Sequence, residues 1–322
     1  MYISWWHDYL PKLFSILSLM VNPVFITLVI TEQMTRMENY RYLLLYFAFF
    51  NLSYSTIEFF VPMAVHCHNY CFLVFLSDGP FYKNNDIGEF MLAVRGGFIS
   101  SSYAVLNVHF IYRFLAIDHG HMIKQYFMPY GLILSLLLCT IHMCLWILAC
   151  SVFAHTDIST KLYIYESFNA SFGEDPMHIN MFSLCYRETS TEKVIKTWIA
   201  MAIAGFVSTY SVTLYCVLGY KIIRRLNSIQ SLSKKSKYLQ TLLFKALLVQ
   251  TVIPICVSMT PCFVAWSLPV FKINPGKWVN FAPVALNLFP FVDPIAIIFY
   301  IPSLRKRAIS FHKAFTSSVG IA

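Results

Sequence analysis

The chain has 322 residues, of which 58% are hydrophobic, 17% aromatic and only 12% charged. Soluble domains carry about a quarter charged residues, so this composition excludes an ordinary soluble domain and indicates a protein whose solvent is lipid. The formal net charge of +9 suggests nucleic acid at first sight. The basic residues lie between apolar blocks rather than in one patch, so we expect a bilayer and no nucleic acid as partner.

Seven apolar segments follow one another along the chain, each about long enough to cross a bilayer as a helix. They are predicted over residues 13–31, 40–65, 88–117, 127–153, 197–220, 239–266 and 278–301. We therefore predict an all-α membrane protein, a bundle of seven transmembrane helices that occupies residues 1–306. Residues 307–322 are predicted to form a short cytoplasmic tail.

The start of the tail has an amphipathic pattern. Leu304, Ala308, Phe311 and Phe315 fall on one helical face, with basic residues elsewhere. This pattern favours a segment that lies along the inner leaflet of the membrane, with a solvated tail as the alternative.

The distribution of basic residues predicts the orientation of the bundle. Of the 24 Lys and Arg residues, 15 fall on the side that holds the tail and the loops after the first, third and fifth helices. The positive-inside rule makes that side cytoplasmic and places the N-terminus outside. Asn169 begins a glycosylation triplet in the longest loop, residues 154–196, which then also lies outside.

Cysteines and histidines cluster in the predicted outer loops. An oxidising face favours a disulfide between Cys185 and either Cys67 or Cys71. His66 and His68 beside them superficially resemble a metal site, but zinc sites take paired ligands from two segments and here one loop supplies all. We expect no metal and no cofactor. The chain also has no phosphate-binding loop, zinc-protease or nucleophile-elbow signature, so we expect no enzyme activity.

Three charged residues fall within or near the ends of apolar segments, where charge is costly and usually functional. Glu58 and Arg95 are predicted at similar depth near the outer face. The functional hypothesis is that they pair, or that one of them contacts a polar group of a ligand. The alternative is a purely structural ion pair in a water-filled vestibule. Asp293 stands beside Pro294 and predicts a break in the seventh helix that moves on activation, with a static kink as the alternative. Pro254 and Pro261 predict a second hinge in the sixth helix.

Four stretches of the chain together resemble one family, the nematode serpentine chemosensory receptors of the Str/Srj type. They are HFIYRFLA at 109–116, LQTLLFKALLVQT at 239–251 followed by Ile253-Pro254, PFVDP at 290–294, and Asn22-Pro23. The likeness runs over about residues 15–306. One feature departs from the family: Tyr300 is separated from Arg305 by four residues. Compared with rhodopsin-like receptors, Arg113 follows Tyr112 rather than an acid.

The resemblance implies a G-protein-coupled chemosensory receptor of the olfactory type, in the plasma membrane of the sensory cilium of chemosensory neurons. It would bind an external small molecule among the outer halves of helices two, three, five, six and seven and activate a heterotrimeric G protein. The predicted coupling residues are Tyr112, Arg113, Lys221, Arg224, Arg225 and Lys245. Lipid headgroup contact is the alternative for the basic ones.

A membrane transporter or a ligand-gated channel is the alternative function. Transporters often show inverted repeats with paired broken helices, and seven spans do not divide in that way. A receptor-like chaperone, or an orphan with no ligand, is a third reading of the same seven helices.

Overall fold

A computed structural model describes residues 3–31, 38–83, 86–118, 120–228 and 234–318. Arg36 of the first predicted loop and residues 319–322 of the predicted tail lie outside these ranges. The helices are α1 (Trp5–Thr31), α2 (Glu38–Phe60), α3 (Asp86–Asp118), α4 (Gly120–Tyr126), α5 (Leu132–Leu148), α6 (Ile158–Phe172), α7 (Thr191–Ser228), α8 (Lys234–Pro254), α9 (Thr260–Ser267), α10 (Phe281–Tyr300) and α11 (Pro302–Ser318). The strands are β1 (Met63–His68), β2 (Cys71–Leu76) and β3 (Met181–Cys185).

The bundle is built from α1, α2, α3, α5, α7, the α8–α9 pair and α10. π-helical segments extend α5 at both ends, over Phe127–Gly131 and Ala149–Phe153. Another, Ile255–Met259, joins α8 to α9. By length and composition, five helices of the described residues could cross a membrane, and a sixth span is added if the bent pair Gly276–Leu286 and Phe289–Tyr300 counts as one.

The other long helix is α3, which lies at the centre of the bundle. It packs against α2, α5, α7 and α8, and 20 of its 33 residues are buried. Those buried residues include Ser100, Ser101, Ser102, Asn107 and His109, which lower its hydropathy. The polar side chains of α3 therefore face protein rather than lipid, as polar groups within membrane helices generally do.

A three-stranded antiparallel sheet lies across one end of the bundle, which we call the sheet end. β1 and β2 form a hairpin with Met63 opposite Leu76, and β3 pairs with β2 so that Cys71 lies opposite Cys185. Asn69 takes the left-handed conformation (φ 47°) in the hairpin turn, a conformation that Asn tolerates well. One face of the sheet packs on the bundle and the other on α6.

The sheet and α6 correct the predicted boundaries. The second helix was predicted to extend to residue 65, but α2 ends at Phe60 and β1 begins three residues later. The predicted loops 66–87 and 154–196 hold the second half of β1 and all of β2, α6 and β3. Short apolar runs such as MAVHCH and CFLVFL do not distinguish a buried strand from the end of a membrane helix, which is why periodicity missed them.

The opposite end of the bundle carries exposed basic side chains, and we call it the basic end. Exposed there are Lys221, Arg224, Arg225, Lys245, Arg305, Lys306 and Arg307. The tail starts as α11, whose Leu304 is fully buried against the bundle while Phe311 is exposed. The Arg307 Nε donates to the Thr31 hydroxyl at 3.0 Å. The predicted boundary at residue 306 thus falls inside a helix; the Phe315 side chain lies outside the described residues.

Candidate ligand cavity and coupling end

An apolar cavity lies between the bundle and the sheet. Its walls come from α3, α7, α9, α10 and the C-terminal part of the α5 span, and the sheet closes it from the sheet end. The α5 span contributes Trp146, Ala149 and Cys150, whereas no residue of α2 lines the cavity. The predicted set of helices is corrected accordingly.

Alternation along the strands makes the ceiling of the cavity apolar. Side chains of a strand point to opposite faces in turn. Every second residue faces the cavity: Met63 and Val65, Phe72 and Val74, Phe182 and Leu184. The residues between them, including Ala64, Leu73, Phe75 and Met181, pack instead against Ile164 and Phe168 of α6.

Two tryptophans form an aromatic wall between the fourth and sixth spans. The rings of Trp146 and Trp266 lie 5.8 Å apart between centroids. Trp146 reaches this position because residue 96 is glycine: a Cβ there would lie 2.6 Å from the Trp146 Cδ1 atom. Gly96 therefore helps to set the shape of the cavity.

Glu58 and Arg95 come together beside the cavity but do not line it. Their nearest charged atoms are 3.7 Å apart, and each side chain is 2% exposed. The Arg95 guanidinium also donates to the Val61 carbonyl and, at 3.3 Å, to the Asn287 side chain. The pair thus connects α2, α3 and α10 behind the cavity wall, so direct ligand contact by either residue is not what this geometry offers.

A hydrogen-bonded cluster below the cavity was not found from the sequence. The Tyr103 hydroxyl, on the cavity wall, lies 3.2 Å from the Ser258 hydroxyl, and the Tyr215 hydroxyl donates to the Tyr103 carbonyl at 2.9 Å. Nearby, the Asn107 amide donates to the Tyr210 hydroxyl at 3.2 Å. These contacts connect α3 and α7 to the π-helical segment after Pro254. Single polar residues in apolar segments give no signal of their partners, which explains the omission.

Asp293 lies in the middle of the bundle and bonds to two other helices. Its carboxyl accepts hydrogen bonds from the Gln250 amide at 2.9 Å and from the Asn51 amide at 3.4 Å. All three side chains are buried. The proline after it, Pro294, cannot donate to the carbonyl of Pro290, and the Asn22 amide donates to that carbonyl at 3.0 Å. This explains why Asn22 is fully buried in α1.

The bends in the sixth and seventh spans lie close to prolines. In the sixth span, Pro254 and Pro261 flank the π-helical segment Ile255–Met259. In the seventh, the axis bends by 45° between segments that end at Leu286 and start at Phe289. This bend precedes the predicted break at Asp293 and Pro294, because Pro290 frees the carbonyl of Leu286 one turn earlier.

Arg113 is buried at the basic end and stacks on an aromatic ring. Its guanidinium carbon lies 3.5 Å from the centroid of the Tyr40 ring, and its exposed fraction is 2%. Its Nε and Nη2 atoms have no hydrogen-bond partner among the described residues. An aromatic face therefore takes the place of the acid that the sequence lacks beside this arginine.

The other predicted coupling residues occupy different positions at the basic end. Tyr112 is buried, with its ring 4.8 Å from that of Phe127. Arg225 is exposed and pairs with Asp118 at 2.8 Å, while the Lys221 ammonium lies 5.7 Å from the centroid of the Phe114 ring. Arg224 and Lys245 are exposed. The four exposed cations are thus available to a partner, whereas Tyr112 and Arg113 are covered.

The sheet end carries the disulfide and the glycosylation triplet. Cys71 and Cys185 are bonded, while Cys67 is a buried free thiol. Asn169 is exposed near the end of α6 rather than in an irregular loop. His66 lies 3.0 Å from the Ser167 hydroxyl and packs on Phe168, and burial lowers its pKa to about 4.

Comparison with known proteins shows which family the chain resembles. The chain matches the family described as serpentine type 7TM GPCR chemoreceptor Srj over residues 1–308. Serpentine receptor class J-38 of Caenorhabditis elegans is 38% identical over 318 residues, which cover 98% of this chain and 96% of that protein. Serpentine receptor class r-10 of the same organism is 27% identical over 279 residues, covering 84% and 81%.

These matches confirm the predicted Str/Srj resemblance and the predicted fold of seven membrane helices. G-protein coupled receptor str-33 of Caenorhabditis elegans is also similar, at 23% identity over 282 residues. All are receptors rather than members of an enzyme family. The chain therefore belongs to the Srj family of serpentine, seven-transmembrane G-protein-coupled chemoreceptors.

Proposed function

We propose that this receptor binds an external small molecule in the cavity beneath its sheet and activates a heterotrimeric G protein through its basic end. The observation that carries the proposal is the separation of the two features. An apolar cavity lies at one end of the bundle and exposed cations lie at the other. The bends at Ile255–Met259 and before Phe289 lie between them.

Three independent features support an outward sheet end. The basic residues concentrate at the opposite end, as the positive-inside rule requires of a cytoplasmic face. The Cys71–Cys185 disulfide suits an oxidising compartment. Asn169 is exposed on the sheet side, where glycosylation enzymes would reach it. The proposed location is the plasma membrane of the sensory cilium of chemosensory neurons.

A ligand can shift a receptor between two states only if it binds them with different affinity. The wall of the cavity includes Cys262, Ala265 and Trp266 of α9 and Leu286 of α10. These residues lie on the sheet side of the two bends. A ligand that contacts these residues favours one arrangement of α9 and α10 over the other. At the basic end, the same movement would release Arg113 from Tyr40 toward the partner.

A reporter assay tests this function. Cells that express the chain with a G-protein reporter are exposed to a panel of small molecules, and a dose-dependent response is expected. Arg113→Ala should abolish the response while surface expression is unchanged, because the released guanidinium is the group offered to the partner. Arg305→Ala, an exposed cation on α11, is the matched control. Retained signalling in Arg113→Ala would contradict the coupling role, and a ligand-evoked current without a G protein would favour the channel alternative.

A further inference from the structure

The cavity has no charged group in its wall. Among the described residues that line it, there is no Asp, Glu, Lys, Arg or His. Its polar groups are the Tyr103 hydroxyl, already 3.2 Å from Ser258, and the indole nitrogens of Trp146 and Trp266. An ion entering this cavity would lose its hydration without meeting a counter-charge. The wall therefore selects uncharged molecules that partition readily into a bilayer.

The sheet end of the cavity is covered by two packed layers. The first is the sheet, fixed by the Cys71–Cys185 disulfide and by Asn280, whose side chain accepts from the Val65 amide at 2.7 Å and donates to the Val65 carbonyl at 2.9 Å. The second is α6, packed on the far face of the sheet through Ile164 and Phe168. A ligand approaching from the water beyond the sheet would have to separate both layers.

One side of the cavity is less closed. α7 packs on α3 and on the segment Ala149–Phe153, while α9 packs on α10 and on Ile255–Met259, and contacts between α7 and α9 are sparse. Small side chains line the cavity on both sides of this seam: Ala200 and Ala204 on α7, and Cys262 and Ala265 on α9. Met201 and Cys262 line the cavity and are only partly buried. The seam between α7 and α9 is thus a part of the cavity wall where two helices make few contacts.

We propose that ligands of this receptor are neutral, membrane-partitioning molecules that enter the cavity sideways from the bilayer, through the seam between α7 and α9 lined by Ala200, Ala204 and Cys262. The proposal rests on the proposed function for its meaning, since it names the ligand class and the entry route of the same cavity. Its physical basis is separate: an uncharged wall, a covered sheet end and a thin side wall of small residues.

Photolabelling of the receptor in lipid nanodiscs tests the route. The probe is an aryl trifluoromethyl diazirine, small and apolar, with its benzoate as the charged analogue, and labelled residues are identified by mass spectrometry. The apolar probe should label the cavity residues Tyr103 and Phe182 as well as the lipid-facing Phe263. The benzoate should leave Tyr103 and Phe182 unlabelled. Equal cavity labelling by the benzoate would overturn the proposed ligand class.

Blocking the seam sharpens the test. Ala204→Trp places an indole in the seam and should remove label from Tyr103 and Phe182 while Phe263 keeps it. Gly205→Trp is the matched control, because a Cβ at Gly205 meets nothing within 4 Å and the residue is exposed. It should retain both labels. If Ala204→Trp fails to reach the membrane, Ala200→Leu narrows the same seam with less bulk. Undiminished cavity labelling in a folded seam variant would overturn the entry route.

The labelling needs no G protein, so the two proposals fail separately. A receptor whose cavity is labelled through the seam but which never activates a G protein would overturn the proposed function alone. A receptor that signals normally while the seam variants label like the wild type would overturn only the sideways entry.

Discussion

Arg95 and Arg113 stand on the same helix, are each 2% exposed, and are held in different ways. Arg95, near the sheet end, faces a carboxylate, a carbonyl and an amide. Arg113, about 27 Å further along α3 at the usual helical rise, stacks on Tyr40 and leaves two guanidinium nitrogens without a hydrogen-bond partner among the described residues. Arg95 is therefore held by polar partners on other helices, whereas Arg113 is held mainly by one aromatic ring.

The difference indicates which end of the bundle is built to move. A buried cation whose carboxylate partner is lost becomes an uncompensated charge, so Arg95 ties α2, α3 and α10 together. A desolvated cation–π contact contributes about 2 kcal/mol, less than the loss of a buried ion-pair partner costs. If Arg113 engages a G protein as proposed, its unused donors gain acceptors on that partner, and the guanidinium can then leave Tyr40 at small cost. Breaking each contact in turn tests this contrast.

The largest effect is expected at the Arg95 site. Glu58→Leu leaves Arg95 buried without its counter-charge, which typically costs about 3–5 kcal/mol. We expect loss of surface expression and a lowered Tm of the purified receptor. The double variant Glu58→Leu/Arg95→Leu should recover part of the loss, since a pair of apolar residues is tolerated where a lone charge is not. The reversed pair Glu58→Arg/Arg95→Glu should likewise do better than either single change; if it does not, the two residues do not act as a pair.

The disulfide braces the same end of the bundle, with a somewhat smaller expected effect. It closes a sequence separation of 114 residues between β2 and β3. Cys71→Ser should lower the free energy of unfolding by about 2–5 kcal/mol. Cys67→Ala is the matched control, because Cys67 is buried in the same sheet but is a free thiol. Thermal unfolding of both variants measures the difference, and equal stability would show that the bond adds nothing to the sheet end.

Loss of the stacking between Arg113 and Tyr40 is expected to change the free energy less, and basal G-protein activation measures it. Tyr40→Leu removes the ring on which the guanidinium stacks, whereas Tyr40→Phe keeps it. A contact of about 2 kcal/mol shifts the equilibrium between the two states by roughly thirtyfold. Basal G-protein activation per surface receptor should therefore rise in Tyr40→Leu and stay unchanged in Tyr40→Phe. Basal activity as low in Tyr40→Leu as in the wild type would mean that the stacking does not restrain Arg113.

The sequence alone predicted the depth of Arg95 in the bundle but not the side chains that surround Arg113. Counting residues from the helix ends placed Glu58 and Arg95 at one depth, and their charged atoms lie 3.7 Å apart. Counting cannot predict rotation about the helix axis, and that rotation brings Tyr40 of α2 over Arg113. The missing acid beside Arg113 was visible in the sequence; the ring that replaces it comes from 73 positions away and was not.

The sheet shows a second limit of sequence patterns. The hydropathy of residues 63–76 is as high as that of a membrane helix, so the strands were assigned partly to the second helix and partly to a loop. The Asn69-Tyr70 pair between two apolar runs of six residues was the available signal for a hairpin. The cavity was missed in part for the same reason, since six of its 23 lining residues are strand residues that face the bundle.

The proposed roles of the two arginines require that the sheet end faces outward. A substitution at Asn169 tests this orientation and is expected to perturb the receptor least. Asn169 is exposed on α6, so Asn169→Gln should change neither stability nor signalling. It should increase the electrophoretic mobility of the receptor by the mass of one glycan, and glycosidase treatment should abolish the difference between the two proteins. Asn51 begins the second triplet of the chain but is buried in α2, so Asn51 should carry no glycan.

If wild type and Asn169→Gln migrate together before treatment, Asn169 carries no glycan and the outward sheet end loses this support. An epitope tag at the N-terminus then decides, because its detection only after permeabilisation would place Arg95 toward the cytosol and Arg113 outside.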